Sequence, residues 1–153
     1  MTNLKRAQTI GAGMAAAPAD TIKYWYTYSI QNFNSTNTLA NAASGTGSVQ
    51  IQSDSDFLLQ QLCAIGKSAA GAIIADSAMD ATVQLTDASS GATLFDQPQQ
   101  LRAVFGDAKL PYVLPTPRVL PANSTLLATV RNDTGGNLIL ILSLIGRKIY
   151  GLR

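Results

Sequence analysis

The chain has 153 residues, only 13% of them charged, and eleven Lys or Arg residues against nine acidic ones leave a net charge of +2. This length fits one domain with an ordinary core. All nine acids are Asp, and the chain contains no histidine, no glutamate and a single cysteine. Most hydrolytic and transfer chemistry near neutral pH uses His, Glu or an activated Cys. The composition therefore predicts a structural or binding module rather than an enzyme, without catalytic residues, metal or cofactor.

The distribution of charge and the length of the apolar runs argue against two classes of partner. The basic residues are scattered, and only Lys5-Arg6 and Arg147-Lys148 are adjacent pairs. Phosphate binding needs a dense cluster of basic side chains, so we expect no direct contact with nucleic acid. No apolar run reaches the roughly 18 residues of a membrane-spanning helix, and we expect no membrane partner.

Residues 1–20 have no regular spacing of apolar residues and are predicted to form an extended N-terminal arm that a partner orders. The basic pair Lys5 and Arg6 lies in this unpatterned segment, next to Leu4. We take these three residues as candidate partner contacts.

The first predicted strand covers residues 22–30, where aromatic and polar residues alternate. This period of two places Tyr24, Tyr26 and Tyr28 on one face of the strand and Trp25 on the other. We expect the tyrosine face to pack in a core, and the alternative is an aromatic platform that stacks on sugars. Trp25 is a fourth candidate partner contact because it points away from the tyrosines.

Short strands and turns continue along the chain. Residues 32–47 are rich in Asn, Ser and Thr and predict a long loop. Further strands are predicted at 48–52, 57–65, 71–75, 81–86, 101–105, 125–131 and 138–149. Turn residues occupy 87–91 and 132–137, and the second turn joins two apolar strands and predicts a hairpin. Seven to nine short strands predict an all-β fold, either a sandwich or a barrel.

Residues 110–121 contain four prolines. Each proline removes a backbone donor, so this segment cannot be a central strand. We expect an extended connection that crosses the sandwich with Tyr112, Val113, Leu114 and Leu120 against its body.

Three local patterns have ordinary structural interpretations. Cys63 lies in an apolar run and is predicted to be a buried, unreactive side chain. Gly66-Lys67-Ser68 resembles the end of a phosphate-binding loop, but the glycine required at position 61 is Gln. Asp54-Ser55-Asp56 lacks the rest of a calcium loop and predicts a solvated turn.

Four stretches occur in order along the chain: Asp56-Phe57-Leu58-Leu59, then Phe105-Gly106-Asp107-Ala108 leading into Leu110-Pro111-Tyr112, then residues 117–125, then residues 144–150. As a set, over roughly residues 22–150, they resemble small structural proteins of tailed bacteriophages, namely the capsid decoration (cement) proteins with a jelly-roll body.

The resemblance implies an antiparallel jelly-roll β-sandwich over residues 21–153 that trimerises. It further implies a virion protein, made in the host cytoplasm, that binds the major capsid protein on the outer surface of an icosahedral head, between capsomers. It transfers no catalytic residue. Similar chains also serve as head-fibre bases or tail-associated modules, and a receptor- or carbohydrate-binding module remains the alternative.

Overall fold

The structure is a computed structural model, and it describes residues 23–150, the side chain of Lys23 excepted. These residues contain eight strands, one short helix and a 3-10 turn at Asp76–Ala78. The elements are β1 (Lys23–Ile30), β2 (Ser44–Gln50), β3 (Asp56–Ser68), β4 (Ala81–Asp87), β5 (Gln99–Gln100), α1 (Leu101–Val104), β6 (Tyr112–Leu120), β7 (Thr125–Asn132) and β8 (Leu138–Ile149). The predicted N-terminal arm at 1–20 lies outside the described residues.

The strands form two antiparallel sheets of four strands each, which confirms the all-β prediction. Sheet A has the order β1-β8-β3-β6, and sheet B has the order β2-β7-β4-β5. Each strand therefore pairs with its counterpart counted from the other end of the chain: β1 with β8, β2 with β7, β3 with β6 and β4 with β5. Pairing of β3 with β8 and of β4 with β7 joins these ribbons into sheets.

One hydrophobic core lies between the two sheets. Both sheets contribute alternate side chains to it, as expected for two facing layers. Sheet A supplies Phe57 and Leu142, and sheet B supplies Val83 and Val130, all fully buried. The predicted tyrosine face of β1 is confirmed at its inner end, where the buried Tyr28 ring lies 4.9 Å from that of Phe57, edge to face.

Residues 101–104 form helix α1, so the strand predicted at 101–105 is wrong. Leu101 and Phe105 are buried and Val104 packs against the core. These positions are three and four residues apart, which is the spacing of one helix face. The Phe105 N–H closes the turn on the Leu101 carbonyl at 2.8 Å. Since so short an apolar run fits either period, the sequence pattern could not separate helix from strand.

The turn at 132–137 does not form the predicted hairpin, because β7 lies in sheet B and β8 in sheet A. Asn132, which is fully buried, holds this crossing. Its side-chain N–H groups donate to the carbonyls of Leu39 and Gly136, both at 2.8 Å, and its side-chain oxygen accepts from the Thr134 N–H at 3.0 Å. The buried amide thus ties the 132–137 turn to the backbone of Leu39, which the hairpin interpretation kept apart from it.

The proline-rich segment is an edge strand, not a connection across the fold. β6 pairs only with β3, and its register is interrupted between Val113 and Arg118, opposite Gln60. An edge position tolerates the missing proline donors. Tyr112, Leu114 and Leu120 pack as predicted, whereas Val113 is 62% exposed. β2 begins at Ser44, inside the predicted loop.

Candidate interaction surfaces

The outer face of sheet A is the side of that sheet turned away from the core. Strand register places its side chains in five rows that run across the strands. The rows are Trp25–Arg147–Leu58–Val119, Thr27–Ile145–Gln61–Val113, Ser29–Ser143–Cys63, Ile141–Ile65 and Ile139–Lys67–Ile73. Apolar side chains predominate in this set, whereas the solvated face of an antiparallel sheet is ordinarily polar.

Exposed apolar side chains concentrate on this face. Six large hydrophobic side chains are strongly exposed among the described residues, and four of them belong to these rows. Those four are Trp25, Ile73, Val113 and Val119, at 58, 76, 62 and 54% exposed. Single exposed apolar residues are normal, but a contiguous patch marks a contact surface.

Trp25 is the predicted contact residue that the structure describes, and it lies at a corner of this face. The guanidinium carbon of Arg147 is 4.7 Å from the centre of the indole ring. Such cation–π stacking holds the indole against the sheet. The other three candidates, Leu4, Lys5 and Arg6, lie outside the described residues.

The outer face of sheet B has a different chemistry. Its rows are Ser44–Arg131–Thr82–Gln100, Thr46–Thr129–Gln84, Ser48–Leu127–Thr86 and Gln50–Thr125. Hydroxyl and amide groups predominate, and the Thr46 and Thr129 hydroxyls are 3.3 Å apart across two strands. This polar face, on which Arg131 is the one charged side chain in the rows, suits contact with water.

The tyrosines of β1 do not make one platform for a sugar. Tyr28 is buried and its hydroxyl accepts the Gln52 N–H at 3.0 Å. Tyr26 is covered by the Lys148 ammonium, 4.4 Å from its ring centre. Tyr24 is 60% exposed but lies on the opposite side of the strand from Trp25. Two exposed rings on opposite faces cannot stack on the same saccharide.

Lys148 is the charged centre of a cluster that it forms with Gln52, Asp54, Tyr26 and Tyr28. Its side chain is only 6% exposed. Its ammonium donates to Gln52 and forms an ion pair with Asp54 at 3.1 Å. Burial alone would lower the pKa of Lys148, but the hydrogen bond to Asp54 and the charges of Tyr28, Asp54 and Tyr150 together outweigh it, and the pKa is raised. The same hydrogen bond lowers the pKa of Asp54, and burial raises the pKa of Tyr28. The cluster is a satisfied structural ion pair rather than a reactive site.

Two carboxylates outside that cluster stabilise loops. Asp107 accepts the backbone N–H groups of Lys109 and Leu110 at 2.8 and 2.7 Å, and the Leu110 bond is the main reason that its pKa is lowered. Asp56 accepts the Ala122 N–H at 2.8 Å. In the part of the chain that the structure describes, no three metal-ligating side chains converge.

Cys63 is 5% exposed, as predicted. Burial, with a smaller contribution from the charge of Asp107, raises the pKa of its thiol. A raised pKa keeps the sulfur protonated and unreactive.

Most residues of the outer face of sheet A were missed by the sequence analysis, although a signal was present. Residues 138–142 are apolar without interruption. An antiparallel strand with one wet face shows alternation, and a strand covered on both faces does not. Ile139 and Ile141 are thus the residues that this pattern could have identified.

No protein-family model matches this chain, and a search of curated proteins finds none with significant sequence similarity. Within residues 23–150, no helix is long and apolar enough to cross a membrane.

Proposed function

We propose that this chain is a non-enzymatic structural protein of a phage virion, a decoration or cement protein that binds the outer surface of the head between capsomers and stabilises the shell. The observation on which this rests is the apolar outer face of sheet A. Such a face has no use in a chain that acts alone in water, and it suits a module that functions by packing against other protein.

The strand order supports the jelly-roll part of the proposal. Pairing of each strand with its counterpart from the other chain end, divided over two four-stranded sheets, describes a long antiparallel ribbon wrapped on itself. A jelly roll is built in this way from eight strands in two Greek keys. The sequence resemblance points to the same architecture and adds the virion location, the trimer and the major capsid protein as partner.

The engagement of the polar groups supports a non-enzymatic role. The buried Lys148 is held by Asp54 and Gln52, and the Cys63 thiol is buried. General acid–base or nucleophilic catalysis needs a group of tuned pKa that can reach a substrate, and these groups are committed to the fold.

Quantitative mass spectrometry of intact virions tests the proposal through copy number. A shell component is present in hundreds of copies, because it follows the icosahedral lattice. A dozen copies or fewer would contradict decoration and favour a head-fibre base or a tail-associated module. Absence from the virion would refute any structural role there.

The predicted arm is tested separately by a chain that lacks residues 1–20. We expect the truncated chain to fold, because the described strands begin at Lys23, and to bind undecorated heads more weakly than the full chain. Equal occupancy of heads by both chains would remove Leu4, Lys5 and Arg6 from the contact.

A further inference from the structure

We propose that the outer face of sheet A is the docking surface for the shell, and that it fits a protein surface of apolar side chains accompanied by carboxylates. This assignment rests on the proposed function for the identity of the partner. The chemistry of the partner follows from the face itself: its size, its charge and its contrast with the outer face of sheet B.

The size of the face sets the strength of the contact. From Ile139 to Arg147 along β8, a rise of about 3.4 Å per residue gives roughly 27 Å. Four strands about 4.8 Å apart add a width of roughly 14 Å, so the flat area is near 400 Å². A standard interface takes about 800 Å² from each partner. The face supplies about half of that, which makes a weak single contact that gains strength when many copies bind one lattice.

Charge on the face selects the partner. Lys67 lies in the last row and Arg147 in the first, and none of the described Asp residues belongs to the five rows. Two copies of this face packed together would bring four cations into one interface whose rows contain no carboxylate, with Asp107 only at the edge of the face near Cys63, which is unfavourable. A partner that offers carboxylates near both ends complements the face. Two separate cations do not make the dense cluster that phosphates require.

The two outer faces together give the molecule a direction. The outer face of sheet B is hydroxyl- and amide-rich and carries Arg131 already paired with Asp133 at 3.1 Å. With sheet A against the shell, sheet B is turned to solvent. Both faces then match their surroundings.

The experiment compares binding of variants to heads of the phage whose genome encodes this chain, assembled without it. Ile141→Lys places a charge at the centre of the outer face of sheet A. Thr129→Lys places the same charge on the central strand of sheet B, where the side chain is exposed, and is the matched control. We expect Ile141→Lys to lower the affinity for heads at least about tenfold, the effect of one unpaired charge in an apolar contact, and Thr129→Lys to leave it unchanged.

Three further variants guard the test against misfolding and address the sign of the charge. Val119 is 54% exposed in the free chain, so Val119→Lys preserves the fold, and we expect it to weaken binding as well. Lys67→Glu opposes the carboxylates of the partner and should weaken binding, whereas Arg102→Glu, on α1 outside the face, should not. Circular dichroism confirms that each variant is folded.

Failures of the two proposals are distinguishable. Heads that bind wild type and the Ile141→Lys and Val119→Lys variants equally would overturn the assignment of the face and leave the decoration role standing. Heads that bind no wild-type chain would overturn the decoration role and the assignment that rests on it. Loss of self-association in Ile141→Lys, measured by sedimentation equilibrium, would make a second copy the occupant. If the wild-type chain binds anionic phosphatidylserine vesicles and Ile141→Lys abolishes this binding, the occupant of the face would be a membrane.

Discussion

Replacement of Gly146 by alanine should destabilise the protein severely, because β3 and β8 approach each other too closely there for a methyl group. A Cβ atom at Gly146 would overlap the carbonyl oxygen of Leu58 and lie 2.9 Å from both the Leu58 carbonyl carbon and the Phe57 ring. Phe57 is fully buried and packs edge to face on Tyr28. Neither the backbone nor the ring can move away without disturbing the core.

The cost follows from the nature of the overlap. Overpacking of a close-packed core costs about 1–3 kcal/mol, and we expect the upper end, about 3 kcal/mol, because backbone atoms are struck. In a domain of this size each kcal/mol shifts the melting temperature by about 2–4 °C. Gly146→Ala should therefore melt about 6–12 °C below wild type.

Gly136→Ala is the matched control, since a Cβ there has open space around it. Its melting temperature should stay within about 2 °C of wild type. This range includes the small stabilisation expected because alanine lowers the conformational entropy of the unfolded chain. Both variants are measured by thermal unfolding with far-ultraviolet circular dichroism. If Gly146→Ala melts together with Gly136→Ala, the approach of β3 to β8 is wrong, and with it the register that builds the outer face of sheet A.

Three further predictions concern buried polar groups. Cys63 should react with a thiol reagent only after denaturation, because burial raises the pKa of its thiol; labelling of the native chain would contradict this. The ion pair of Lys148 with Asp54 should stabilise the fold between pH 3.8 and pH 10.5. At low pH its contribution is lost as the pH falls to the lowered pKa of Asp54, and at high pH it is lost as the pH rises to the raised pKa of Lys148. Lys148→Met should flatten both limbs of a stability–pH curve from urea unfolding, and unchanged limbs would count against the pair. Asn132→Ala should cost about 2–3 kcal/mol, since it strands buried partners, and the exposed Asn137→Ala less than about 0.5 kcal/mol; equal urea midpoints would show that Asn132 does not hold the crossing.

Local patterns predicted the elements whose signal is local. The alternation around Trp25 gave β1 with Tyr28 buried in the core and Trp25 on the opposite face, because successive side chains of a strand point to opposite faces. The apolar surroundings of Cys63 gave its burial. The turn at 87–91 is confirmed by the backbone bond from the Gly91 N–H to the Asp87 carbonyl at 2.8 Å. These features depend on neighbours in sequence.

Tertiary pairing decided what the sequence pattern missed. The turn after Asn132 has the composition of a hairpin turn, but β7 and β8 each find better partners in different sheets. β8 pairs along its whole length with β3, from Ser68↔Leu138 to Asp56↔Ile149, and with β1 on its other side. Both edges of β7 and both edges of β8 are already paired with other strands, so these two strands cannot also pair with each other. Pairing on both edges within a four-stranded sheet gives each strand more backbone hydrogen bonds than a hairpin between β7 and β8 would, so the closeness of the two strands in sequence did not decide their pairing.

The outer face of sheet A joins these two lessons. The apolar run of β8 is a local signal, and it predicts a strand covered on both sides. The fold covers one side with sheet B, where Leu140 and Leu142 are buried. The other side, with Ile139 and Ile141, is left without a layer among the described residues. The sequence pattern of β8 predicts a covering layer on each side, and the fold supplies only one. The second layer must therefore come from outside these strands, and the binding of Ile141→Lys to heads is the measurement that decides whether the shell supplies it.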